Sequence, residues 1–403
     1  MIFHAADLGG TKIGGIQSFV RGFVQFAPDD FEIECVGTTS EPGERPVGAW
    51  TTLDVDGRRI RYLAVHRTDP HEGRRRVPLA LSYTLSLLRH RRRFRTQGRI
   101  LNFHRAGVPL ALVNSRSPRV QYVHLNVADI YAEQGESRWR RLPGAYHRIE
   151  DLTIPSMDRV YVVNERGVQF YRQRHPKHAD RIGFLPTWYD PGIFRRPTSD
   201  ERADVRSAVR ARLGVPPDAP IVLFVGRLEA QKDPELLVRA FARASHRVEQ
   251  LRLVVVGSGS LESTVGATAE RLGVGDRLHL LGALSRQHVA ELMWAADALL
   301  LASRFEGMPI TVIEALATGL PVVATAVGEV PRLVETARTG WLAADRSGEA
   351  LATGIVTVLE MAVEPLRDAA VERASAYRAD RVLAPVYAAH RELDLRAGKA
   401  SAR

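Results

Sequence analysis

Two short stretches in the second half of the chain carry residues whose type and spacing suit chemistry on a phosphate ester. In GRLEAQKDPELL, Arg227 follows a strand-like apolar run, and Lys232 lies five residues on, just before Asp233 and Pro234 open a helix. Two cations on one loop can neutralise a departing diphosphate where no metal does so. In EGMPITVIEALATGLPVV, Glu306 closes another strand-like run, Gly307 to Pro309 turn the chain, and Ile310 begins a helix that Gly319 and Pro321 end. The first turn of that helix offers backbone N–H groups at Ile310 and Thr311 to phosphate oxygens, and Glu314 one turn later can accept hydrogen bonds from a ribose diol. Pro309 has no N–H to give. Each motif also has a plainer reading: an Arg and a Lys on a loop are ordinarily solvated, and the two carboxylates suit a loop and a helix dipole.

A third stretch, AADLGGTKIGG, opens the chain and resembles the phosphate loop of sugar kinases. Those kinases need a β-hairpin after the loop, whereas Ile16, Phe19, Val20, Phe23 and Val24 fall on one face of a helix. Gly14 and Gly15 would then place backbone N–H groups at a helix N-terminus, where partial positive charge favours phosphate. A tight strand-to-helix turn with no ligand is the plainer alternative.

These groups need rigid elements to hold them, and the second half supplies a clear rhythm. IVLFVGR, LRLVVVGSG, RLHLLGAL, ADALLLAS and PVVATAV read as buried strands alternating with helical stretches such as PELLVRAFARASHRV and ITVIEALAT, a doubly wound α/β pattern. IRYLAVHR, RILNFHR, RVQYVHLN and DRVYVVNE play the same strand role in the first half, with longer insertions. A chain of 403 residues exceeds one hydrophobic core, so two domains are expected. The prolines of PTWYDPGIFRRPTSDERAD mark a linker before the helix SAVRARLGV, giving domains 1–197 and 198–375. Residues 376–403 read as a C-terminal helix returning toward the first domain, with a kink expected at Pro385.

Composition narrows the setting. With 45% hydrophobic and 25% charged residues the chain is globular, and no apolar stretch is long enough to span a membrane. No secretory signal is evident at the start, and the single Cys35 excludes an internal disulfide and a zinc site built on paired thiolates. A cytoplasmic location is expected. The net charge of +10 comes entirely from residues 1–195, with 30 Lys/Arg against 20 Asp/Glu, while residues 196–403 balance at 26 each. Its dense parts are Arg74 to Arg76, Arg89 to Arg95 and Arg138 to Arg141, where Phe94 and Trp139 would sit at a lipid headgroup boundary; on this reading the surface is the inner face of the plasma membrane. An Arg-rich solvated face is the plainer reading. Nucleic acid is not expected as a partner, since no binding motif accompanies the charge.

Two glutamates separated by seven residues, Glu306 and Glu314, with GRL and a lysine upstream, resemble family 4 of the retaining glycosyltransferases (glycosyl transferases group 1). The resemblance implies the GT-B fold, α/β with two facing Rossmann-like domains, parallel sheets and a cleft between them. It extends through LVVVGSGSLES, RLHLLGAL and AVGEVPRLVETARTGWL in the second half, and through IGGIQSFVRGF, RVQYVHLN and LPTWYDPGIFR in the first. Carried over residue by residue, it implies that Arg227, Lys232, Gly15, Ile310 and Thr311 bind the donor diphosphate and Glu314 the ribose. Glu306, Gly307, Met308 and His124 would hold the donor sugar, and Gly257, Gly259, Ala283 and Leu284 would lie near the base. The catalytic set is then Glu306, His124, Lys232 and Arg227, with His104 a weaker acceptor-side candidate. His124 could equally be a hydrogen-bonded core histidine at a strand end.

The implied activity is a retaining, metal-independent hexosyl transfer from a nucleotide diphosphate sugar, the co-substrate, to the hydroxyl of a carbohydrate or lipid-linked acceptor, in cell-surface polysaccharide or glycolipid synthesis. No cofactor and no metal are expected. Thr187 and Trp188 replace the family's usual Asn-Gly, Asn164 stands where serine is common, and Gly328-Glu329-Val330 replaces a Gly-Gly. Rival readings keep the fold but change the reaction to nucleotide-sugar epimerisation or phosphorolysis, or lose catalysis and retain binding. A dehydrogenase fits least, because GSGSLES lacks the third glycine of the dinucleotide fingerprint.

Overall fold

The protein is described by a computed structural model that covers residues 1–10, 15–69, 77–124 and 143–401. Gly14, Arg74 to Arg76 and the run Arg138 to Arg141 with Trp139 lie outside the described residues. The chain forms two compact units: Thr187–Arg378, and the described residues up to Pro186 together with those from Ala379 onward.

The first unit is built on eight strands, β1 (Ile2–Phe3), β2 (Glu34–Thr39), β3 (Trp50–Val55), β4 (Arg58–Arg67), β5 (Leu101–Phe103), β6 (Arg119–Val123), β7 (Arg159–Val162) and β8 (Ile182–Phe184). Their order is β3-β4-β2-β1-β5-β6-β7-β8. Ile2 pairs with both Cys35 and Asn102, which sets β1 in the middle of the sheet. All pairings are parallel except β3 with β4, an antiparallel hairpin whose two turn residues, Asp56 and Gly57, have φ of 51° and 86°. Positive φ at both positions is the turn that matches strand twist, so Asp-Gly was a readable hairpin signal. Among the strands that periodicity did not pick out, β1 is only two residues long, too short to show any pattern.

Gly15–Gln25 is a helix with Phe19, Val20, Phe23 and Val24 buried, as the one-face spacing requires. Ahead of it, residues 7–10 are held by Asp7. One carboxylate oxygen accepts the Gly9 N–H at 3.0 Å, the other accepts the Ser40 N–H and hydroxyl at 2.8 Å each, and Gln17 Nε2 donates to the Asp7 carbonyl at 2.6 Å. The C-terminal helix Ala379–Ser401 belongs to this unit and continues through Pro385. Tyr387 donates to the Phe23 carbonyl at 2.8 Å, and His390 Nε2 lies 2.7 Å from Asn102 Oδ1. Phe94, expected at a lipid boundary, is instead 6% exposed and packs edge-on to Phe3 with ring centroids 5.7 Å apart. Its ring gains more from joining the Phe3 and Phe103 cluster than from water contact.

The second unit has six parallel strands, β9 (Ile221–Val225), β10 (Arg252–Val256), β11 (Leu278–Leu280), β12 (Ala298–Leu301), β13 (Val322–Thr325) and β14 (Gly340–Ala343), in the order β11-β10-β9-β12-β13-β14. The central strands are buried on both faces, which explains their unbroken Val/Leu runs. After β9 the chain winds outward to β10 and β11, then returns to β9's other side as β12, so the switch point lies between β9 and β12.

The segment read as a linker folds into this unit. Thr187 Oγ1 donates to the Met308 carbonyl at 3.3 Å and the Tyr189 N–H to the Tyr377 carbonyl at 3.0 Å, which draws the division between units ahead of Pro197. The helix read as SAVRARLGV begins earlier, at Ser199. Thr198 caps the Glu201 N–H at 3.2 Å, and Glu201 accepts the Thr198 N–H at 2.8 Å. Thr-x-x-Glu is a capping box, and it lies inside what polarity alone marked as linker.

Candidate functional site in the second unit

The switch point brings the loops after β9 and β12 side by side. Lys232, at the end of the β9 loop, places Nζ 2.5 Å from Oε1 of Glu306 in the β12 loop. Two hydrogen bonds fasten the two loops: the Arg304 N–H donates to the Gln231 carbonyl at 2.8 Å, and the Gln231 side-chain Nε2 to the Phe305 carbonyl at 3.1 Å. Arg227 lies on the same loop, with Nη2 3.4 Å from Gln231 Oε1. Asp233 then starts the next helix. It adopts φ 47°, accepts the Leu236 N–H at 3.3 Å, and is bound by Arg304 at 3.1 Å and by Arg346. The turn that aims Lys232 is therefore pinned at both ends.

Glu306 is 5% exposed and takes a second bond from Ser303 Oγ at 2.6 Å. Thr325, ending β13, donates to the Ser303 carbonyl at 2.8 Å. A buried carboxylate left without partners would cost several kcal/mol in water-excluded surroundings, so the lysine and the serine are what make this placement tenable. The loop after β13 closes on the same turn: the Glu329 N–H donates to the Gly307 carbonyl at 3.0 Å. Gly328 has φ 55°, and a Cβ there would run into the Glu306 carbonyl. The glycine of Gly328-Glu329-Val330 is thus needed sterically.

The helix Ile310–Ala317 starts directly after this turn with Pro309 as its N-cap and no side-chain cap. Among the described residues, the N–H groups of Ile310 and Thr311 have no acceptor, and the Thr311 hydroxyl is buried without a partner. Four such N–H groups open every helix, and an anion can satisfy them. Glu314, 6% exposed, follows one turn later. Burial pushes its carboxyl up to about 7, with Arg286 opposing and Asp190 adding to the shift. Arg286 and Asp190 form an ion pair at 3.6 Å beside it. Neither was singled out from sequence, because their positions relative to Glu314 depend on how separate segments pack.

Gly257 and Gly259 follow β10. The Gly257 N–H donates to the Gly282 carbonyl at 2.7 Å, which joins this turn to the loop carrying Ala283 and Leu284. Gly257 has φ 132°, and a Cβ would strike the Gly226 carbonyl; one at Gly259 would strike the Leu228 carbonyl. The glycine turn is a spacer that lets the Arg227 loop approach.

In the first unit, Gly15 is exposed at the start of its helix, and Asn164 caps the helix Glu165–Arg174 by accepting the Gly167 N–H at 2.6 Å. His104 and His124 follow β5 and β6, neighbours in the sheet, so the two side chains meet: His104 Nδ1 lies 2.9 Å from His124 Nε2, with rings stacked at 5.2 Å. Burial and then the charge of Arg105 push His124 down to about 3. His104 is lowered well below its usual range by burial first, then by His124, His4 and Arg105. Sequence reasoning named both histidines but not their contact.

The order of the second sheet and the pair of parallel α/β units define a class of fold. Sucrose-phosphate synthase from Thermosynechococcus elongatus superposes with a TM-score of 0.79, covering 97% of this chain and 98% of that one at 21% identity. HepE of Anabaena, solved in complex with UDP and glucose, gives 0.71 over 96% and 98% at 17% identity. The fold is GT-B. Residues 205–376 match the model described as glycosyl transferases group 1. The D-inositol 3-phosphate glycosyltransferase of Xylanimonas cellulosilytica is 32% identical over 231 residues, 56% of this chain and 52% of that protein. The chain spans about half the length of the curated relatives it matches.

Proposed function

We propose that the protein is a retaining, metal-independent glycosyltransferase that moves a hexosyl group from a nucleotide diphosphate sugar to an acceptor hydroxyl, in cell-surface polysaccharide or glycolipid synthesis on the cytoplasmic side of the membrane. The observation that carries this reading is the Lys232–Glu306 contact at the switch point, beside a helix whose first N–H groups are unspent. The donor diphosphate takes those N–H groups and the charges of Arg227 and Lys232, and Glu314 accepts the ribose hydroxyls. Glu306, released in part from Lys232, accepts hydroxyls of the donor sugar while Ser303 keeps it oriented. When the anomeric C–O bond to the diphosphate breaks, negative charge grows on the leaving oxygen, where the cations already stand. That oxygen takes the proton of the acceptor hydroxyl attacking from the same face, so configuration is retained and the proton is accounted for.

Release of nucleoside diphosphate from a panel of nucleotide sugars, with and without acceptors, tests this directly. UDP-sugars head the panel because HepE of Anabaena was solved with UDP and glucose. Acceptor-dependent release with an α-anomeric product from an α-donor, unaffected by a chelator, is expected. An inverted anomer would remove retention, chelator sensitivity would remove metal independence, and a donor interconverted without release would replace transfer by epimerisation.

A further inference from the structure

The first unit carries an apolar and basic face that donor chemistry does not use. On the helix Leu79–His90, Leu81, Leu85 and Leu88 lie at i, i+4 and i+7, hence on one side, and are 52%, 56% and 42% exposed. The opposite side buries Tyr83 and Leu87. The short 3-10 turn Val108–Leu112 packs beside this helix, and exposed Leu110 and Val113 accompany it.

The same helix runs straight into exposed Arg89, Arg91, Arg92, Arg93 and Arg95. That turn is anchored, since Phe94 is buried against Phe3 and Trp50 Nε1 donates to the Arg93 carbonyl at 2.8 Å. The cations are therefore held at one place on the body. Residues 73–128 contain twelve arginines and no Asp or Glu, so no carboxylate from this stretch offsets the charge. The field is felt locally: burial first, then Arg89 and Arg93, lowers the titration of His90.

We infer that this face, Leu81, Leu85 and Leu88 with the Arg89 to Arg95 turn, docks on an anionic lipid bilayer, the leucines entering the headgroup boundary and the arginines meeting lipid phosphates. A soluble polyanion would engage the arginines but gives three aligned leucines nothing to bury, whereas an anionic bilayer satisfies both. Binding is peripheral, because no helix among the described residues is long and apolar enough to cross a membrane. The inference stands independently of the sugar-transfer reading.

Co-sedimentation of the full chain with vesicles of about 3:1 phosphatidylcholine to phosphatidylglycerol, against pure phosphatidylcholine, tests it at low and high salt. Salt-sensitive binding to the anionic vesicles is expected. Replacing Arg91, Arg92 and Arg93 by Gln should weaken it about a hundredfold, from roughly fivefold per arginine. Leu81→Ser with Leu85→Ser should weaken it roughly tenfold or more while leaving heparin binding and thermal melting unchanged. Equal sedimentation with both vesicle types overturns the inference. So does full vesicle binding by the leucine variant, which would mark the face as a soluble-polyanion surface instead.

Discussion

Lys232 Nζ stands 2.5 Å from Glu306 Oε1, joining the loop after β9 to the loop after β12 across the switch point of the second sheet. The lysine neutralises the carboxylate; under the proposed function, a bound donor would draw Lys232 to its diphosphate and Glu306 to its sugar.

Lys232→Ala should lower turnover by roughly 100- to 1,000-fold, the range for removing one preorganised group that stabilises developing negative charge. The fold should survive at reduced stability, since Glu306 keeps the Ser303 hydroxyl but loses its cation. Steady-state release of nucleoside diphosphate and a circular dichroism spectrum check both parts, and near-normal turnover would reject the role.

Glu314 makes stability depend on pH. Its folded pKa of about 7 lies above the ordinary 4.5, so between these values the folded state holds a proton that the unfolded chain has released. Stability is then full below the lower value and falls as pH rises to the upper one, by of order 3 kcal/mol. Glu314→Gln removes that window. The wild type should lose melting temperature relative to this variant between pH 5 and pH 8, and a constant difference would contradict the shift.

Gly257→Ala should destabilise the protein by more than about 2 kcal/mol, because its backbone stands at φ 132° and the new methyl meets the Gly226 carbonyl. Gly266→Ala is the control. Gly266 lies in the helix Glu262–Arg271 with nothing within 4 Å of an added Cβ, so alanine should stabilise by about 0.5 to 1 kcal/mol. Melting curves of the two variants should move in opposite directions.

His124 should stay neutral across pH 5 to 8, since burial and the Arg105 charge hold it near 3. Its imidazole carbon signal, assigned by loss in His124→Gln, should not titrate in that range. A midpoint between 6 and 7 would show that water reaches the pair with His104.

Much of the second unit was legible in residue order. The Val/Leu runs of β9, β10, β12 and β13, the helix from Ile310, and the types of Arg227, Lys232, Glu306 and Glu314 are local properties, written in period, turn residues and charge. So was the helix Gly15–Gln25, through its one-sided Phe and Val spacing. The first half was harder to read: β1 has two residues, and β3 announces itself only by the Asp-Gly turn that follows it. The capping box at Thr198 and Glu201 was present in the letters but masked by surrounding prolines and charges.

What folding alone decided are the relations between distant segments. Lys232 and Glu306 are 74 positions apart, and only the return of β12 to the side of β9 makes them touch. The same holds for His104 with His124, for Arg286 and Asp190 beside Glu314, and for Phe94, whose ring left the surface because Phe3 was available to cover it. Periodicity and composition report which residues prefer water and which turns the backbone can make. Distances, burial and shifted titrations arise from packing partners that lie far off in the chain, so they entered only with the tertiary structure.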